Sequence, residues 1–276
     1  MGWSLLATQF SCQLAFGVLL AMAFVPRAPV GVLFYRVMGT SAVALVAVSI
    51  AASLAMGVVA WSHPAMLGGA LALGTYPFYS GPVRGARWAT ALGLALLGTA
   101  VAVGACLADL AALPATGGPL FAEPELRALG AGEFALAVAS ALATGAVAGS
   151  VGLAMVLGHW YLTVPNLAVR HLVRLNRVTI GAMVASAVAL VASGLAFHEP
   201  LETLSPSLFG ATGLFHLSAR VAVGLVLPLL FAAMAASSLR YQNTRSATGI
   251  LYASTVLVLI GAALSVSLQD TYGVPL

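Results

Sequence analysis

Five histidines and one arginine are the groups in this chain that can do chemistry in apolar surroundings. His216 and Arg220 stand four residues apart in GLFHLSARVAVG, so on a helix they share one face. Imidazole ligates heme iron, and a neighbouring guanidinium neutralises a heme propionate or donates to a quinone carbonyl. A second axial ligand must come from another helix at similar depth, and His63 and His198 are available at span ends. The expected cofactor is therefore heme b, a quinone or both. His63 and His216 are the expected metal ligands, His198 is the substitute, and Arg220 meets a propionate or quinone oxygen. The plainer alternative has Arg220 snorkelling out to the headgroups with His216 wetted beside it.

His159 lies in LGHWYLTVP with Trp160, Tyr161 and Pro165 around it. Such a cluster lines a quinone pocket, holds a second heme, or forms part of an aromatic belt. His171 sits in AVRHLVRLNRV, where Arg170, Arg174 and Arg177 form a basic stripe at helical spacing that suits anionic headgroups or a cytoplasmic partner. Gln9 and Gln13, one turn apart, are expected to hydrogen-bond across helices or to a ligand.

What is missing excludes other chemistries. All eleven basic residues are Arg, so no lysine Schiff base or phosphate-loop lysine exists. No C-x-x-C, H-E-x-x-H or G-x-S-x-G pattern occurs. No carboxylate falls mid-span, which argues against a proton relay through a buried Asp or Glu. The arginines are spread along short loops rather than gathered on one basic face, so nucleic acid is not an expected partner.

The elements that must position these groups are membrane spans. The 276 residues are 61% hydrophobic and only 7% charged, too few charges to clothe a soluble surface, for which about 25% is usual. Hydropathy predicts an all-α, polytopic integral membrane bundle of about eight transmembrane helices near 4–25, 36–60, 64–80, 88–109, 134–160, 178–197, 213–238 and 247–268. Gly68, Gly69, Gly74 and Pro77 interrupt the third, and Pro228 is expected to kink the seventh. The leader MGWSLLATQF lacks a basic n-region, so the first span is read as retained.

Nine of the eleven arginines fall in connections on one side of these spans, and all seven acidic residues fall in or beside connections on the other. The positive-inside rule makes the arginine face cytoplasmic and puts both termini outside, in a bacterial plasma membrane. Trp3 and Trp61 then mark the outer interface, Trp88 and Trp160 the inner one. Cys12 and Cys106 fall in outer halves of spans and are expected to be unrelated thiols, with a disulfide as the alternative.

The spans divide into a 4+4 tandem repeat, residues 1–112 and 134–276, separated by an external loop at 113–133 in which Glu123, Pro124 and Glu125 could open a surface helix. GTSAVALVAVSIAASLA of the second span resembles GAMVASAVALVASGLA of the sixth in texture, and His63 and His216 open the corresponding third and seventh spans. Gly145 and Gly149 form a G-x-x-x-G step, with Gly152 as a further small position. The functional expectation is a membrane subunit of an electron-transfer complex, partnered by the lipid bilayer and by membrane or peripheral redox subunits. The alternatives are a small-solute transporter, suggested by the even repeat and broken spans, or a ligand-free scaffold subunit.

Overall fold

The computed structural model describes residues 2–25, 30–55, 64–112, 130–164, 167–198 and 208–272. The chain is all-helical there. The elements are α1 (Gly2–Met22), α2 (Val32–Ala55), α3 (Pro64–Gly74), α4 (Tyr76–Ser80), α5 (Ala86–Ala112), α6 (Ala131–Thr163), α7 (Arg170–Ala196), α8 (Ala211–Arg240) and α9 (Thr244–Tyr272). Six of them, α2 and α5–α9, are long and apolar enough to cross a bilayer. α1 and the pair α3–α4 occupy the other two predicted spans. The expected surface helix at Glu123–Glu125 and the residue His63 lie outside the described residues.

Both interrupted spans break for reasons visible in the sequence. Thr75 separates α3 from α4, and Pro77 falls in the first turn of α4, where a missing N–H costs nothing. The Thr75 hydroxyl donates back to the Leu71 carbonyl at 2.8 Å, satisfying a helix end that lipid cannot. In α8 the expected kink takes the form of a π turn at Ala222–Val226, where the Leu227 amide reaches back five residues to Ala222. Pro228 has no N–H to offer Gly224 and its ring crowds that carbonyl, so one residue is looped into the preceding turn.

Lipid tails are as apolar as leucine, so helix association here rests on close fit rather than on burial from water. Glycines supply the fit. α1 crosses α6 with backbones in contact: a methyl on Gly17 would strike the Gly145 carbonyl, and one on Gly149 would strike the Gly17 backbone. Gly152 faces open space and takes no part. Gly68 of α3 and Gly98 of α5 touch through their backbones, as do Gly224 of α8 and Gly261 of α9. Larger side chains pack toward the arginine-bearing end, where Phe34, Tyr35, Leu157, Leu172 and Leu175 are fully buried. There Trp160 Nε1 donates to the Val30 carbonyl and Trp88 Nε1 to the Tyr79 carbonyl, both at 3.1 Å, with Phe34 and Tyr35 edge-on to the two indoles.

The two sets of four pack by one scheme. In the first, α1 contacts α2 and α5, and α3–α4 contact α5 and α2; in the second, α6 contacts α7 and α9, and α8 contacts α9 and α7. Between them, α1 lies on α6, while α1 on α9 and α5 on α6 are images of each other when the halves are exchanged. The buried faces set the register of the second helices. Phe34, Tyr35, Met38, Gly39, Ala42, Val46 and Ser49 of α2 fall on His171, Leu172, Leu175, Asn176, Thr179, Met183 and Ser186 of α7. This differs from the register that sequence texture suggests, Gly39 on Gly181, because runs of Ala and Val look alike in any frame.

Candidate functional site

α8 is capped at its N-terminus by Gly210, and Gly213 in its first turn lies so close to the Leu208 backbone that a methyl would collide with the carbonyl. From there His216, Arg220 and Gly224 follow one another at four-residue steps, leading into the π turn. Arg220 does not snorkel: it is 3% exposed and turns into the bundle. Its Nη2 donates to Thr144 Oγ1 of α6 at 3.2 Å and to Ser186 Oγ of α7 at 3.1 Å. Its Nε has no partner. Only glycine fits at position 224, where a Cβ would stand 2.6 Å from Arg220 Nη1.

The two hydroxyls accept from the guanidinium, and donors around it remain unused. A hydroxyl that accepts from guanidinium still has its own O–H to give, and Nε–H is a further donor. Among the described residues no carboxylate pairs with Arg220. A buried cation without an ionic partner is costly in a low-dielectric interior, which makes Arg220 the candidate point of contact for an electronegative group.

One turn further along α7 from Ser186 begins a cleft of about 290 Å³ between α7 and α8. Leu190, Gly194 and His198 form one wall, Leu217 and Val221 the other, with Leu208 and Phe209 across the end. Among the described residues its lining is apolar apart from His198, which is exposed, with its ring 6.0 Å from that of Phe209.

The structure thus brings Arg220 and His198 to the same end of the second half. His216 is half-buried beside Phe215 and does not line the cleft. His159 is exposed far from this region, roughly 22 Å along α6 from Thr144 at 1.5 Å per residue. It meets the Tyr252 hydroxyl of α9 at 3.3 Å. Among the described residues no three His, Cys, Asp or Glu side chains gather as a metal site. The donor set fits a ligand oxygen, as a quinone or a carboxylate carries; among the described residues the cleft has one imidazole, His198, and the expected heme ligand His63 lies outside them.

Several polar groups depart from their sequence reading. His171 is buried with Nε2 unpartnered, while Arg170, Arg174 and Arg177 around it are exposed, because it shares the core-facing side of α7 with Leu172 and Leu175. Gln9 is buried with neither amide atom bonded. Cys12 and Cys106 form no disulfide, yet they pack in one cluster. Thr144 and Ser186 were not foreseen as site residues. Their signal is weak: a lone hydroxyl in an Ala/Val helix ordinarily bonds back to its own carbonyls. Asn176 was likewise missed; its Nδ2 bridges α7 to α8 through the Ala232 carbonyl at 2.9 Å.

No protein-family model matches the chain, and no curated protein matches it.

Proposed function

We propose that this protein is a multi-pass carrier of a small anionic solute in a bacterial plasma membrane, with Arg220 meeting the solute's charge. The observation that supports this is the guanidinium buried among α6, α7 and α8, donating to two hydroxyls and lacking a carboxylate partner among the described residues. Thr144 and Ser186 hold the guanidinium plane and turn their own protons toward the anion. The π turn beside Arg220 and the break at Thr75 give each half a discontinuous third span, as carriers built from repeats often have. The arginine-rich end faces the cytoplasm and both termini face outside. In proteoliposomes, uptake of labelled anions should saturate and should vanish in Arg220→Met; wild-type vesicles that pass no anion would overturn the reading.

A second reading is favoured by the cleft. An apolar slot with one imidazole at its rim suits a lipophilic quinone, which would make the protein a membrane subunit of an electron-transfer complex served by redox partner subunits. Its test is an extract and an absorption spectrum of the purified protein. Co-purifying quinone, or a Soret band, would favour electron transfer over transport.

A further inference from the structure

We infer that the ligand at Arg220 is an organic monocarboxylate with an apolar body, its carboxylate against the guanidinium and its hydrocarbon lying in the cleft between α7 and α8. The inference rests on reading Arg220 as the anion site and adds to it the class of anion.

Three observations carry it. The donors and the cleft are neighbours, although neither Arg220 nor Ser186 lines the cleft itself: Ser186, which holds Arg220, is one turn from the lining residue Leu190 on the same face of α7, and Arg220 lies between the lining residues Leu217 and Val221 on α8. The two regions differ sharply in chemistry. The inner end holds a guanidinium that donates to two hydroxyls and keeps an unpartnered Nε, on a side chain that is 3% exposed. The cleft is walled by Leu190, Leu208, Phe209, Leu217 and Val221. An inorganic anion would use the first region and leave the second unfilled, whereas a neutral lipid tail would use the second and leave the cation unmet. A carboxylate on a hydrocarbon chain satisfies both at once, because guanidinium matches a carboxylate with two parallel N–H bonds. Gly194 gives the cleft its depth: a Cβ built there meets nothing within 4 Å, so the space is open rather than closed by a neighbour.

The test is equilibrium binding of labelled acetate, hexanoate and decanoate to the full-length protein in phosphatidylcholine nanodiscs, with protein-free discs subtracted. Affinity should rise about fourfold per added methylene until the cleft is full. Gly194→Leu, which fills open space and leaves Arg220 untouched, should abolish that dependence while acetate binds as in the wild type. Arg220→Met should abolish binding of all three. Arg220-dependent binding that is equal for acetate and decanoate would overturn this inference and leave the carrier reading standing. A chain-length dependence that survives Gly194→Leu would also overturn it, by moving the hydrocarbon elsewhere. No Arg220-dependent binding of any anion would overturn the carrier reading and the inference with it. Added phosphatidylglycerol that displaces decanoate competitively would uphold the shared chemistry, an anionic head on an apolar body, with lipid as its source.

Discussion

Replacing Arg220 with methionine separates a structural arginine from a binding one. The change removes two hydrogen bonds from a charged donor, at 3.2 and 3.1 Å, each worth about 1.5–3 kcal/mol. The hydroxyls of Thr144 and Ser186 are mid-helix and can turn back to carbonyls of the preceding turn, recovering about 1 kcal/mol each. Against the remaining loss stands the cost of keeping an arginine at membrane depth, about 2.5–3.5 kcal/mol on insertion scales. Methionine keeps much of the aliphatic stem, so the space beside Gly224 stays mostly filled. The two sides cancel to within about 1–2 kcal/mol. At about 2–4 °C per kcal/mol for a chain of this order, the melting temperature should move by no more than ~8 °C in either direction. Anion binding should disappear. The assay is thermal unfolding of detergent-purified protein with and without ligand. Saturating anion at a hundred times its dissociation constant should stabilise the wild type by about 2.7 kcal/mol and leave the variant unmoved. Were Arg220 structural glue, its truncation would resemble breaking a buried ionic contact, about 3–5 kcal/mol, and the melt would fall by ~10 °C or more. A fall of that size, with ligand stabilisation retained, would refute the reasoning.

Gly149→Ala should destabilise the bundle by more than about 2 kcal/mol, since its methyl meets the Gly17 backbone, whereas Gly152→Ala should be neutral or stabilising by up to about 1 kcal/mol; paired melts check both. Pro228→Ala frees the Gly224 carbonyl to regain an ordinary helical partner, so the melting temperature should rise while anion affinity drops at least tenfold as Arg220 rotates away from Thr144 and Ser186; binding titration with melting reads both changes. Single cysteines in a Cys12→Ala, Cys106→Ala background should label from the cytoplasm at Ser246 and from outside at Gly210. Reversed labelling would invert the assigned sidedness.

The helices were legible because each long span is an uninterrupted apolar run and lipid permits nothing but helix there. Breaks at Pro77 and Pro228 were legible as breaks, but their form was not. A proline announces a lost bond, and whether the chain stops, kinks or loops out one residue depends on the helices beside it. The site was legible at Arg220, where the sequence left two directions open and the structure takes the inward one. A span-end arginine can reach for headgroups or for the bundle, and the choice was made by Thr144 and Ser186, which are separated from it by 76 and 34 residues. His171 shows the converse. The charged residues flanking it imply a wetted stripe, yet its place beside Leu172 on the helical face sends it inward. Gly145 and Gly149 read correctly as a contact step, and Gly152, equally small, did not join it because a parallel crossing uses only one stretch of the helix.

On the proposed carrier reading, that crossing also limits where a solute would pass. Where like-oriented repeats surround a transport path, the path often lies between them, but here α1 and α6 meet backbone to backbone at Gly17, Gly145 and Gly149. No route follows that seam without separating two helices held at their closest approach. A path must therefore run inside one set of four. The two sets differ at the place that matters. In the second, Ser186 holds a guanidinium. In the first, its positional counterpart Ser49 donates to the Thr8 carbonyl at 2.9 Å, and the space beside it, bounded by Cys12, Gly69 and Thr99, is about 10 Å³, room for a single water at most. The first set offers a neutral, nearly filled centre and the second a charged one next to an open cleft. One half braces and the other binds, so substitutions that enlarge the Cys12 cavity should alter stability without altering anion affinity.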